Sequence, residues 1–221
     1  MMNTIVEDGH IMPQTKKDDS SARSTGRPRS EASQASILEA AYNMLCSSPI
    51  ADISTVHIAR SAGVSPATIY RWWPSKEALL LDAFLHTTDR ELVLRADGSP
   101  LDRLRDYLLQ TGRLFTGESG LVVARLLTAI QDNAALRRDF MARIYSPHDK
   151  EIRAVVMEAI LQHQLPDAVD VGIFLDSMIG PLLVRLLIRH ERIDEQFVAS
   201  VFDQMVAAQR FAAPSVTQPA K

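Results

Sequence analysis

The chain reads as all-α, with a small N-terminal helical module followed by a larger helical domain. Three observations predict this. Of the 221 residues 46 % are hydrophobic but only 6 % aromatic, a balance weighted to Leu and Ala that suits helices. Apolar positions recur at helical spacing from Ile37 onward. No segment alternates apolar and polar residues as a half-buried strand would. The length accommodates one small module and one larger domain, with boundaries predicted at 1–28 (arm), 29–80 (module), 81–212 (main domain) and 213–221 (tail).

The arm holds Lys16-Lys17-Asp18-Asp19-Ser20-Ser21 and Arg23 to Arg29 and has almost no apolar periodicity, so it is expected to lack order in isolation. It is either a solvated tail or a basic arm that enters a DNA minor groove through Arg27 and Arg29. Ile37, Ala40, Ala41, Met44 and Leu45 then share one helix face, and Pro49 lies beyond its end. A short second helix carries Ile53, Ile58, Ala59 and Ala62, with Ser54 as its cap. Gly63 supplies the positive φ of a tight turn. Ser65-Pro66 is a helix start, a capping oxygen followed by a ring with preset φ. That third helix carries Thr68, Tyr70 and Arg71 and is stopped by Pro74, which drives the preceding residue out of the α region. Ser75 caps a fourth helix with Lys76 in its first turn. A short capped helix bearing hydroxyls, a phenol and a cation suits insertion into a groove, so Gly63 to Leu79 reads as the second half of a DNA-binding helix-turn-helix.

The fourth helix, with Leu79, Leu80, Ala83 and Phe84, is expected to tie the module to the main domain. Gly98-Ser99-Pro100 opens a helix with Leu101, Leu104, Leu108 and Leu109. Gly117 to Gly120 is a predicted break before the nearly all-apolar Leu121 to Leu127, and Asn133 to Gln162 is a long amphipathic stretch expected to bend at Pro147. Leu165-Pro166-Asp167 separates it from two final helices, about 168–190 and 194–210. Both are sticky: Ile173, Met178, Ile179, Leu182, Leu183, Leu186 and Leu187 on one, and Phe197, Val198, Val201, Phe202, Met205 and Val206 on the other.

Composition narrows the function. The net charge of −3 argues by itself against a nucleic-acid binder. Residues 20–80, however, carry six Lys/Arg against four acids, and 81–221 carry sixteen against nineteen. The positive charge is modest but sits on the module that needs it, so hydroxyls and helix N-termini must add phosphate contacts. Cys46 is the single cysteine, which excludes an internal disulfide and suits a reducing compartment; at the end of an apolar helix it reads as a small hydrophobe. No apolar run of spanning length and no signal-peptide stretch is read, so the location is expected to be cytoplasmic. No nucleophile with a base, paired carboxylates or phosphate loop appears, and His57, His86, His148, His163 and His190 lack ligand spacing. The chain is therefore not expected to be an enzyme, or to need a metal or cofactor. A helical adaptor without DNA is a third class, after the enzyme, but it has no use for the hydroxyls and cations between Ser65 and Lys76.

Over Ile37 to Phe84 the chain resembles the TetR family of bacterial transcriptional regulators. The match rests on Ile58-Ala59, Ala62-Gly63-Val64-Ser65, Ala67-Thr68-Ile69-Tyr70 and Pro74-Ser75-Lys76-Glu77-Ala78-Leu79, in the family's order and spacing. Beyond residue 90 it thins to a helical pattern and the run Gly180-Pro181-Leu182-Leu183. The resemblance implies a helix-turn-helix DNA-binding domain and a helical ligand-binding and dimerisation domain. It places Ser65, Pro66, Ala67 and Arg71 toward the major groove and Thr68, Tyr70 and Lys76 on phosphates. Arg71 is the best candidate for a base contact, through guanine O6 and N7. Trp73 is a core position, whereas Trp72 braces the backbone or a base methyl; Ser54 and Thr55 join the DNA-facing set. One departure is Val56, where some members carry a base-reading arginine. A dimer interface is implied on the last two helices, through Ile173, Ile179, Leu183, Leu187, Phe197, Val201 and Met205. Implied partners are a palindromic duplex operator, a second copy of the chain and a small-molecule effector. Arg113, Arg125 and Arg185 are candidate effector contacts, with salt bridges to residues such as Asp176 as the competing role. Repression is the favoured outcome; activation or control by a protein partner is the alternative.

Overall fold

A computed structural model describes residues 27–88 and 92–212, with residues 27–30 and 210–212 through their backbone alone. The expected disorder of the arm before Arg27 and the tail from Ala213 lie outside the described residues. The described residues form ten α-helices and no strand: α1 Arg27–Ser47, α2 Thr55–Ser61, α3 Pro66–Trp72, α4 Lys76–Thr88, α5 Pro100–Leu114, α6 Gly117–Asp132, α7 Ala134–Phe140, α8 Ser146–Leu161, α9 Val171–Val184 and α10 Glu195–Ala212.

The punctuation works as its chemistry dictates. The Ser54 hydroxyl accepts the Val56 N–H at 3.2 Å, Ser65 accepts that of Thr68 at 3.3 Å, and Ser75 accepts that of Ala78 at 3.1 Å. Trp73, just before Pro74, is extended at φ −124° and ends α3. Gly63 takes φ +66° after α2, and the Val64 N–H returns to the Ala59 carbonyl at 2.9 Å, satisfying an orphan helix carbonyl.

Two details differ from expectation. The break predicted over Gly117 to Gly120 is confined to Phe115 and Thr116, and α6 already runs through both glycines. Gly120 is needed because a Cβ there would lie 2.4 Å from the Phe115 carbonyl oxygen. The bend expected at Pro147 is a π-helical segment, Met141–Tyr145, that joins α7 to α8 just before the proline. Widening the turn to i→i+5 accommodates a residue whose ring cannot join an i→i−4 ladder.

Packing divides at a different place from the sequence pattern. One core joins the module to α6 and α7, with Ile37, Leu45, Ile58, Ile69, Leu79 and Leu80 against Val122, Leu126 and Leu136. The other joins α5, α8, α9 and α10 around Leu104, Leu108, Phe174, Met178, Leu182 and Phe202. The linking role expected for α4 is met: Leu80 and Phe84 are buried in the first core. Burying two large side chains of that kind contributes about 1.5–3 kcal/mol each.

No uninterrupted apolar run of spanning length occurs among the described residues, as read from the sequence. The helix Val171–Arg189, α9 with its π-helical end, nonetheless contains a stretch with a mean hydropathy of 1.9, long and apolar enough by length and composition alone to cross a membrane. Asp176, Ser177 and Arg185 interrupt the run residue by residue, but an average over the helix absorbs them. Only 22 % of its most apolar stretch is buried within the chain.

Candidate nucleic-acid interface

Helix α3 has one buried anchor, Ile69, and presents Ser65, Pro66, Ala67, Tyr70 and Arg71 to solvent. The four residues expected to face a major groove, Ser65, Pro66, Ala67 and Arg71, are thus all uncovered, together with Tyr70. The residues there are held from behind. Thr68 is half-buried, and its hydroxyl lies 3.0 Å from that of Ser65, so the N-terminal turn is cross-tied. The Tyr70 phenol lies 3.0 Å from the hydroxyl of buried Thr55, linking α3 to the first turn of α2. Thr55 is therefore a support for Tyr70 more than a free donor. Arg71 rests over the Trp72 indole, 5.7 Å from its centroid, while Trp72 packs edge-on to Trp73 at 5.6 Å. This contact restrains an otherwise exposed side chain.

Lys76 has a use that spacing did not reveal. Its ammonium donates to the Ile50 carbonyl at 2.9 Å, clamping α4 to the turn Ile50–Asp52 that follows α1. An ammonium has three donors, so two are left for a phosphate. Trp73 is core, as expected, but its indole N–H also donates to Asp82 at 2.6 Å. A buried indole nearly always finds such a partner, and that signal was available in the sequence. Val56 is exposed on α2 and offers no polar group there. The backbone of Arg27 and Arg29 lies in the first turns of α1, while their side chains are outside the described residues.

Burial pushes the Cys46 thiol above its ordinary value, with Glu118 adding to the shift and Tyr42 and Arg125 opposing it. The neutral form is favoured, consistent with a small hydrophobe.

The arginines read as candidate effector contacts each have a partner within the chain, and for Arg113 and Arg185 this is in line with the competing role of ion pairing. Arg113 pairs with Glu195 at 2.7 Å on the surface. Arg125 donates to the Leu45 carbonyl, joining α6 to the end of α1. Arg185 stacks 3.4 Å over Phe197, donates to the Arg192 carbonyl and pairs with Glu191, not Asp176. Two surface clefts of about 510 Å³ are lined by Leu101 with His163 to Asp167, and by Leu101, Asp102, Arg105, Phe202, Asp203, Val206 and Ala207.

The proposed dimer residues separate into two groups. Ile173 and Leu187 are exposed, and Ile179, Leu183, Phe197 and Val201 are partly covered. Met205 lies on the same side of α10 as Phe197 and Val201 but deeper, buried beside Val198 and Phe202 in its own chain's core, whereas Phe197 and Val201 are only partly covered. Missed by the sequence reading were Val184 and Ile188, the latter 72 % exposed. At 100° per residue Ile173, Gly180, Val184 and Leu187 fall on one side of α9, opposite buried Phe174, Met178 and Leu182. A Cβ at Gly180 would meet nothing within 4 Å, so this face is open; exposed Asp176 and Ser177 border its apolar residues.

Comparison with known proteins agrees with this geometry. The family described as "Bacterial regulatory proteins, tetR family" matches residues 37–83, and "Tetracyclin repressor-like, C-terminal domain" matches 94–205. An uncharacterized HTH-type transcriptional regulator of Bacillus subtilis, YdeS, is 30 % identical over 173 residues, covering 78 % of this chain and 87 % of its own. The HTH-type transcriptional regulator EthR of Mycobacterium tuberculosis is 39 % identical over 93 residues, 41 % of this chain and 43 % of its own. Among solved structures, the TetR family regulator SCO0332 superposes with a TM-score of 0.64 at 27 % identity, over 79 % of this chain and 97 % of that one. The fold is also that of FadR from Bacillus subtilis, solved in complex with stearoyl-CoA, with a TM-score of 0.64 at 18 % identity over 78 % of this chain and 97 % of that one. Matched across both its DNA-binding module and its C-terminal helices, the chain belongs to the TetR family of bacterial helix-turn-helix transcriptional regulators.

Proposed function

We propose that the chain acts in the cytoplasm as a homodimeric repressor, binding a partly palindromic operator and leaving it when a small molecule binds. The observation that carries the dimer is the α9 face of Ile173, Gly180, Val184 and Leu187, largely apolar and uncovered by its own chain, with exposed Ser177 and Asp176 at its margins. A second copy related by a two-fold axis would cover it with the same face, flanked by Phe197 and Val201 of α10. Gly180 at its centre permits close approach of the two α9 helices. Two α3 helices would then meet half-sites about one helical turn, ~34 Å, apart.

Release follows from shared packing. Helix α4 belongs to the same core as α6 and α7, so a ligand that spreads the later helices alters the angle of the module. The ligand must prefer the DNA-incompetent arrangement, typically by about 1–3 kcal/mol, and DNA must weaken ligand binding equally.

The experiment is solution mass by light scattering, with and without operator, beside footprinting. A dimer protecting two half-sites is expected. Val184→Asp should yield a folded monomer with operator affinity greatly reduced, because a carboxylate would be buried opposite its own copy. A monomeric wild-type protein on a single asymmetric half-site refutes the reading. Thermal-shift screening identifies effectors, since a ligand of the folded state raises Tm by mass action.

A further inference from the structure

Three residues far apart in sequence meet on one carboxylate. Asp82, on α4, accepts the indole N–H of Trp73 on one oxygen at 2.6 Å. Its other oxygen accepts from the guanidinium of Arg143. Trp73 is the residue that ends the recognition helix, and it is only 3 % exposed. Arg143 lies in the π-helical segment Met141–Tyr145 between α7 and α8. One side chain thus holds the end of the DNA-reading helix and the one irregular turn of a long helix in the C-terminal domain. We propose that Asp82 is a positioning residue for operator binding, setting the angle of α3 relative to the C-terminal domain by engaging Trp73 and Arg143 together.

Rigidity is what the shared carboxylate adds. The module's apolar contact with α6 and α7 is non-directional and tolerates small rotations, whereas two hydrogen bonds to one carboxylate do not. The side chains of Asp82 and Arg143 are 33 % and 38 % exposed, so the pair adds little to global stability. Its effect is on where α3 points. Random DNA is bound through phosphates and tolerates a loosened helix; a two-half-site operator does not. This inference rests on the dimer reading, because helix angle matters most when two recognition helices must fit at once. The π turn is also the part of its helix with the least regular hydrogen bonding, a suitable place for strain from the C-terminal domain to reach Asp82.

The test is a double-mutant cycle on the full-length protein, using a duplex operator selected from random sequences by the wild type. Solution mass of the wild type on that duplex is measured first and decides the dimer reading by itself. Asp82→Asn keeps an acceptor for Trp73 but loses the charge that holds Arg143; Arg143→Ala removes the partner; neither enlarges the core. Each is expected to lower operator affinity roughly three- to tenfold, and the double variant no further than the weaker single. Affinity for a random duplex should stay within about twofold, and Arg143→Lys should recover most of the loss. Additive losses, unchanged operator affinity, or equal loss on random DNA would each overturn the proposal. Should Asp82→Asn prove unstable, Arg143→Ala against Trp73→Phe completes the same cycle, with the same outcomes decisive.

Discussion

The hydroxyl of Thr55 and the phenol of Tyr70 lie 3.0 Å apart, so the first turn of α2 is bonded to the exposed middle of α3. Thr55 is 9 % exposed and Tyr70 54 %, one end of the bond anchored and the other open to solvent. The buried member orients the exposed one.

Thr55→Val keeps the shape and removes the hydroxyl. It should destabilise the module by about 0.5–1.5 kcal/mol, since the Tyr70 phenol can turn to water but loses its fixed direction. Tyr70→Phe should cost a similar amount, and the two together less than their sum. Urea unfolding of the four proteins measures this. Strict additivity would show that the bond contributes nothing.

Arg71 is exposed and rests over Trp72. Arg71→Ala should relax preference at one base pair in each half-site, costing ~1–3 kcal/mol there. Competition binding with operators substituted at single positions reads this out. A loss of equal size on operator and random DNA would demote Arg71 to a phosphate contact.

Lys76 has two proposed tasks that a pair of substitutions separates. Lys76→Gln can still donate to the Ile50 carbonyl but carries no charge, whereas Lys76→Ala loses both. Both should lower the slope of log K against log salt by roughly one per half-site. Only Lys76→Ala should also lower Tm, because it leaves that carbonyl without its donor. A salt slope unchanged in both variants would make Lys76 a structural clamp and nothing else.

The Tyr107 phenol is pushed from 10.0 up to about 12, chiefly by burial, with Glu151 adding to the rise and Thr111 opposing it. Above pH 10 the unfolded chain releases this proton before the folded one does, so the folded state binds more protons and stability falls as pH rises. The loss should run from about pH 10 through about pH 12 and be absent below that window. Tyr107→Phe should flatten this part of the stability profile, compared with wild type by chemical unfolding at several pH values. An identical slope in the variant would assign the alkaline loss to other groups.

Much of the molecule was legible along the chain because its information is local. Ser54, Ser65 and Ser75 cap the helices they precede, Gly63 turns, Pro74 stops, and the apolar spacing of Ile37 to Leu45 buries one helix face; each depends on neighbours within about four residues. The helix-turn-helix followed from that grammar, while the outward side of α3 came from the resemblance to the TetR family. Tertiary structure decided what depends on distant partners. Which side of α10 faces inward buried Met205 and left Phe197 and Val201 at the edge, although all three belong to one apolar run. The engagement of Arg113, Arg125 and Arg185 rests on Glu195, the Leu45 carbonyl and the Arg192 loop, partners that spacing does not name. The meeting of Trp73, Asp82 and Arg143 likewise exists only after α4 has packed on α7. Helix periodicity states which residues want burial or a partner; only the packed chain selects which partner each one receives.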